Sequence, residues 1–316
     1  LYFVPGDTLV DFRLARSLGI HGESDLFGGV VPFPFIATKT ITHALPAANS
    51  PAPAGWSADF ARAVQRAVLA GYSAYSRDDV LNAGLRLFKN GAVRLKKASG
   101  IGGSGQTVVE DEAELEAYVR ALDAQELLRD GVVVEQNLTN VVTHSVGQVR
   151  VGNLKATYYG TQRLTVNNHG DEVYGGSRLV VMRGDFDALL RIELASDTRI
   201  AVEQAGTYHA AAIASFPGMF ASRCNYDIAQ GFGNDGQWHS GVLEQSWRIG
   251  GASGAEIAAL EAFRADPSLE VVCASTTEVY GANPVVPQDA VIVYQGDDER
   301  TGRLTKYSRL EPYANS

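Results

Sequence analysis

Lys96 ends a short apolar-alternating run, Ala92–Leu95, that leads straight into a glycine-rich turn containing Gly102, Gly103, Ser104 and Gly105. Glycines let backbone N–H groups crowd around an anion where a Cβ would obstruct them, and a lysine adds a positive point charge. The arrangement suits the phosphates of a nucleotide. The lysines precede the glycines, so the pattern is not G-x-x-x-x-G-K-[ST]. It also lacks the strand, G-x-G-x-x-G, helix order of a dinucleotide fold. A flexible hairpin loop would need the same Gly/Ser cluster.

A second set of reactive side chains lies on two late runs of period-two alternation, joined by a turn at Gly233-Asn-Asp-Gly236. Asp227 stands on the first run. On the second, alternation sends Glu244, Ser246 and Arg248 to one face and Leu243, Gln245 and Trp247 to the other. Magnesium takes hard oxygen ligands and keeps several waters, so two carboxylates across a hairpin, with a serine hydroxyl beside them, could hold it. A surface Glu–Arg ladder with a solvated Asp227 is the alternative. Gly250, Gly251 and Ser253 follow, entering a helix whose first N–H groups and dipole favour an anion. Beside Arg248, that is the place for a substrate carboxylate. Ser253 and Glu256 also read locally as an S-x-x-E capping box.

The elements that must position these groups alternate between the two periodicities. Tyr2–Val4 reads as a strand, Asp7 as the cap of a helix through about Ser17, and residues 47–55 as a Pro/Ala/Gly-rich loop. Ser57 and Ser76 read as N-caps of helices, the second ending near Gly84. After the glycine turn come a return strand Gln106–Val109, a helix over Asp111–Leu128, and a strand Val132–Glu135. Residues 145–181 alternate with period two around a turn at residues 167–170, a long helix runs to about Ser215, and a last helix spans Ser253 to about Phe263. The order of elements implies an α+β protein: a small unit over 1–72, a lobe with the glycine turn over 73–138, and a larger lobe over 139–316.

With 316 residues and 45% hydrophobic content, the chain can bury a large core. Its formal charge of -9 argues against a nucleic-acid backbone or an anionic membrane as partner. The two cysteines, Cys224 and Cys273, have no metal-binding or redox spacing, so a reducing cytoplasm is the expected setting. The six histidines form no metal-ligand pattern, and a homodimer is the assembly left open.

Taken in order, the lysine strand, the glycine turn, a helix, VVVEQNL at 132–138, an antiparallel sheet and an acidic pair on late strands resemble the ATP-grasp superfamily over about residues 36 to 255. Lys96 stands nine residues before Gly105, the family's spacing, with Lys97 where a proline is usual. Segments Asp25–His43 and Gly241–Phe263 resemble an uncharacterised proteobacterial family within that superfamily. The resemblance implies two lobes clasping ATP, with a small pre-ATP-grasp-like unit before them. It implies that Lys39 and Lys96 contact ATP, that Glu135 with the backbone of Gln136 to Leu138 holds adenine, and that Asp227, Glu244 and Ser246 hold magnesium. Two further positions depart from the pattern: Thr143-His144-Ser145 occupies the place of the ribose-binding acid, and Ser246 that of an asparagine.

The activity implied is an ADP-forming ligase that activates a small-molecule or peptide carboxylate for attack by an amine or other nucleophile, with Arg248 steadying the transferring phosphoryl group. A small-molecule kinase, or a nucleotide-binding protein without turnover, are the alternatives. Lys96 and Lys97 discriminate the register of the lysine strand. Lys96→Ala should weaken ATP binding by about 1.5–3 kcal/mol, the cost of a charge-assisted contact, and Lys97→Ala by much less, as read by calorimetry.

Overall fold

The computed structural model describes residues 1–98, 105–299, 301–311 and 313. Period-two alternation produces three sheets. Four antiparallel strands form the first, in the order Gly71–Ala74, Val132–Gln136, Val93–Lys97, Gln106–Val109. The central strand Val132–Gln136 is buried throughout, as its run of valines requires. Helices Arg77–Leu87 and Glu112–Ala121 cover this sheet, closing a core around Val80, Leu87, Leu95, Leu115 and Val134.

The larger lobe is built on eight antiparallel strands. From one edge to the other they are Trp238–Ser246, Arg223–Phe232, Thr139–Val151, Leu154–Val166, Glu172–Arg183, Val271–Tyr280, Gly302–Glu311 and Val291–Asp298. One face packs Val146, Tyr226, Ile228 and Val242 against helix Ser196–Ser215. On the other, Ala156, Tyr158, Leu179, Val181 and Ala274 meet Ala255, Ala259 and Phe263 of helix Ser253–Ala265. That helix covers only part of its face. The remainder is the floor of a cavity of ≈ 1290 Å³.

A three-stranded sheet joins the N-terminal segments Leu9–Val10 and Gly29–Val31 to Phe220–Ala221, a pairing across nearly two hundred residues that no local pattern announces. Among the described residues no helix is long and apolar enough to cross a membrane.

Ser57 and Ser76 cap their helices through side-chain oxygens that accept the N–H groups of Phe60 and Asp79. The second helix runs past Gly84 to Leu87. Asp7 is not a helix cap. Its carboxylate accepts the N–H of Thr8, and Asp11, at φ 80°, caps Phe12–Ser17 by accepting from Arg13. The continuous pattern over Asp111–Leu128 is two helices, Glu112–Ala121 and Ala124–Asp130, because Asp123 accepts the N–H groups of Gln125 and Glu126 and starts a new cap.

Two glycines separate a packing role from a propensity effect. A Cβ on Gly160, in a central strand, would lie 2.0 Å from the carbonyl oxygen of Arg178 on the neighbouring strand. Gly206, inside helix Ser196–Ser215, would meet nothing closer than 3.8 Å. Gly160→Ala should therefore destabilise by about 1–3 kcal/mol and Gly206→Ala stabilise by about 0.5–1 kcal/mol, as measured by chemical denaturation.

Candidate active site

Lys39 lies in a 3-10 turn, Lys39–Ile41, capped by Thr38. The side chain of Gln245 donates to the carbonyls of Ile36 (2.7 Å) and Thr38 (2.9 Å), fastening this turn to the core side of strand Trp238–Ser246. Lys39 is thereby buried, and its Nζ stands 2.8 Å from Glu244 Oε2. The reading of Glu244 as partner of Arg248 in a surface ladder is replaced by this pair. Arg248 lies beyond the strand's end, with its guanidinium donating to the carbonyl of Ile249 at 2.8 Å and standing 3.9 Å from Asp7.

Asp227 and Glu244 are direct partners on neighbouring strands. What aims them into the cavity is a β-bulge. Asp227 pairs Glu244 but Ile228 pairs Val242, so Leu243 is the extra residue. Val242 faces the helix-packed core with Gln245 and Trp247, and simple alternation would have put Glu244 there with it. Asn225 Nδ2 (2.8 Å), Gln162 Nε2 (2.8 Å) and Ser145 Oγ (3.3 Å) all donate to Asp227 Oδ1. Asp227 also lines the cavity. Burial, and then the charge of Glu244, push the Asp227 carboxyl up to about 6. Among the described residues no group of three or more His, Cys, Asp or Glu could hold a metal ion, so a divalent cation would rely on these two carboxylates with substrate oxygens and water.

On the opposite lobe, Lys96 is buried with its Nζ 2.5 Å from Glu135 Oε1, and His43 Nε2 stands 3.0 Å from Oε2. Burial alone would raise the Glu135 carboxyl, but the ammonium beside it and His43 bring it down to about 2. Both Glu135 oxygens have partners within the protein, and Glu135, Gln136 and Leu138 do not line this cavity, so the expected adenine contact of Glu135 with the backbone of Gln136 to Leu138 stands as a proposal. Lys97 points outward, half-exposed, 3.7 Å from Glu126. Gly105 begins the return strand's turn, while Gly102, Gly103 and Ser104 lie outside the described residues.

The capping-box reading of Ser253 and Glu256 is corrected too. Ala252 is the N-cap, the hydroxyl of Ser253 accepts the N–H of Gly250 at 3.0 Å, and Glu256 is buried. Its carboxylate pairs with the equally buried Arg223 at 2.7 Å and accepts from Tyr158 at 2.6 Å. Arg223 also donates to the Ser246 hydroxyl (3.2 Å) and to the carbonyl of Arg248 (2.6 Å), fixing the strand end that carries both. The sequence reading missed this residue. Its signal was alternation, since Arg223, Asn225 and Asp227 share one strand face. Lys39, Lys96, Asp227, Glu244, Ser246, Arg248, Gly250, Gly251 and Ser253 all line the one cavity, with Thr143 and Ser145 beside them.

Residues 1–308 match the model of a family described as "Protein of unknown function (DUF3182)". The chain belongs to this DUF3182 family. No curated protein matches the sequence. Among solved structures, the biotin carboxylase domain of 2-oxoglutarate carboxylase from Hydrogenobacter thermophilus is similar at a TM-score of 0.50 and 14% identity, covering 95% of this chain and 67% of that one. Phosphoribosylamine–glycine ligase from Thermotoga maritima is similar at 0.49 and 15%, covering 98% and 79%. Biotin carboxylase from Campylobacter jejuni is similar at 0.44 and 13%, and the DUF3182 chain spans 61% of its length. The fold of the DUF3182 chain is α+β, and it is similar to that of the 2-oxoglutarate carboxylase domain.

The raised carboxyl of Asp227 gives this site a pH signature. A folded-state value near 6 lies above the ordinary 3.8, so the folded protein holds the proton more tightly and the group's contribution to stability falls as pH rises from about 4 to 6. Asp227→Asn removes that loss. In metal-free buffer its melting temperature should exceed the wild type's at pH 7, with the difference shrinking towards pH 4.

Proposed function

We propose that this protein is an ATP- and magnesium-dependent ligase that activates a small-molecule or peptide carboxylate as an acyl phosphate and releases ADP. One observation carries the reading: two buried lysines, two facing carboxylates, and an arginine beside a glycine-rich helix entry converge on a single cavity. The likeness to the 2-oxoglutarate carboxylase domain, which was solved with MgADP and bicarbonate, supports it.

In this reading Lys39 and Lys96 neutralise the phosphates of ATP, and Asp227 and Glu244 would hold magnesium, with Ser246 positioned for a metal-bound water. The metal would screen the triphosphate's charge. Lys39 then exchanges its bond with Glu244 for a phosphate oxygen, and Lys96 is presented to the cavity by Glu135. Arg248 and the Gly250–Ser253 loop orient the substrate carboxylate, one of whose oxygens attacks the γ-phosphorus while the bond to ADP breaks. An amine or other nucleophile then adds to the acyl carbon. Its proton is lost, and phosphate departs. Catalysis of this kind rests on positioning and charge stabilisation, and no protein nucleophile is required.

Calorimetry with a non-hydrolysable ATP analogue tests the metal end. Magnesium should tighten binding to the wild type, and Glu244→Gln should remove most of that gain, worth roughly 1.5–3 kcal/mol for charged contacts, while binding in EDTA stays near wild type. Equal magnesium dependence in the two proteins would remove the carboxylate pair from the mechanism.

A further inference from the structure

The cavity is larger than the roughly 300–1,000 Å³ that encloses one drug-sized ligand, so it has room for a second molecule beside a nucleotide. Its two ends differ in chemistry. Beyond the charged groups the floor continues across the outer strands. Gly254 packs over Thr276 and Ser308, where a Cβ would come within 2.9 Å of Thr276. Two residues further along the same strands stand Glu278 and Lys306, joined at 2.7 Å, with the Tyr280 hydroxyl donating to Glu278 at 3.3 Å. These charges satisfy one another, so this wall asks for no second charge on a ligand.

Around it the surface is apolar. The edge strand contributes Val291, Val293 and Tyr294, and the cavity is lined as well by Ile249, next to Arg248, and Ile257, one turn into the helix that follows Gly250–Ser253. All five line the same cavity and are 38% to 63% exposed. Singly exposed apolar residues are ordinary, but five sharing one cavity are a binding surface. The geometry is built. A bulge between Ile292 and Tyr294 lets both Val291 and Tyr294, three residues apart, pair with Ser308 and Lys306 on the cavity face, where unbroken alternation would send them to opposite faces.

We infer that this end of the cavity binds the body of the carboxylate substrate, and that the substrate is an apolar-bodied acid, aliphatic or aryl, rather than a small hydrophilic one. The inference rests on the proposed carboxylate site at Arg248, because Ile249 follows it in sequence and Ile257 belongs to the helix that the Gly250–Ser253 loop enters, and all three line the cavity. The carboxylate meets the guanidinium and the helix entry. The chain behind it crosses Ile257 and ends against Val291, Val293 and Tyr294.

Calorimetry of the whole protein with butanoate, hexanoate and octanoate, with and without a magnesium-bound ATP analogue, tests this. Affinity should rise about fourfold per methylene. Val293→Asp and Tyr294→Ala, both at exposed positions and checked by thermal melts, should flatten that rise while leaving butanoate binding near wild type. Affinity independent of chain length, or a length dependence that both variants preserve, overturns the proposal. So does sedimentation showing two copies joined through this edge and separated by Val293→Asp. Chain-length dependence without nucleotide binding would remove the ligase reading and leave the apolar site; nucleotide binding without chain-length dependence would do the reverse.

Discussion

Two carboxylates that face each other on adjacent strands repel, and the larger lobe is arranged around that repulsion. Asp227 and Glu244 are cross-strand partners, a position where like charges destabilise a sheet. Lys39 neutralises one of them at 2.8 Å. The other receives three neutral donors on a single oxygen and a carboxyl pushed up to about 6. The set therefore carries one more negative charge than positive, in a place where burial makes charge expensive. A site so built favours a cation, and the opposing lobe supplies a second lysine that is itself held by a buried glutamate.

Holding these groups requires rigid supports, and the structure uses buried polar pairs for them. Arg223 and Glu256, both almost wholly inaccessible, bridge the strand that carries Asp227 and the helix that follows Arg248. Desolvating such a pair cancels much of its Coulombic gain, so it is a weak source of stability. Its geometry explains it better: the guanidinium reaches the Ser246 hydroxyl and the Arg248 carbonyl, so the strand that bears Glu244 and the loop that follows Arg248 are tied together. Gln245 does the same on the core side, tying the Lys39 turn to the strand that bears Glu244.

Much of this was legible in the sequence, where the physics is local. Alternation located the strands around residues 145–181 and 223–246, and serine caps placed two helices. It failed where distant groups outcompete local ones. Glu256 has the spacing of a capping box, yet a buried guanidinium more than thirty positions upstream takes its carboxylate. Burial of Glu135 was evident from the valines before it, but not that Lys96 and His43 would occupy both its oxygens. The two late strands Val291–Asp298 and Gly302–Glu311, like Val271–Tyr280, went unread, and a single inserted residue, Leu243, decides which face Glu244 occupies. Bulges leave no periodic trace, because they are breaks in the period.

The edge strand poses the last physical question. An edge presents unpaired backbone groups, and proteins commonly protect it with charge, proline or a covering element. Here charge is confined to one end, at Asp297 and Asp298, while Val291, Ile292 and Val293 stand in a row at the other, each about half exposed or more. Such a stretch invites association, and folding stability gives no reason to keep it, since those side chains bury little. The bulge twists the strand and turns part of the row towards the cavity instead of leaving it flat. The proposed ligand, with a charged head and an apolar body, would account for an apolar wall that is costly as surface but continuous with the charged end of the cavity.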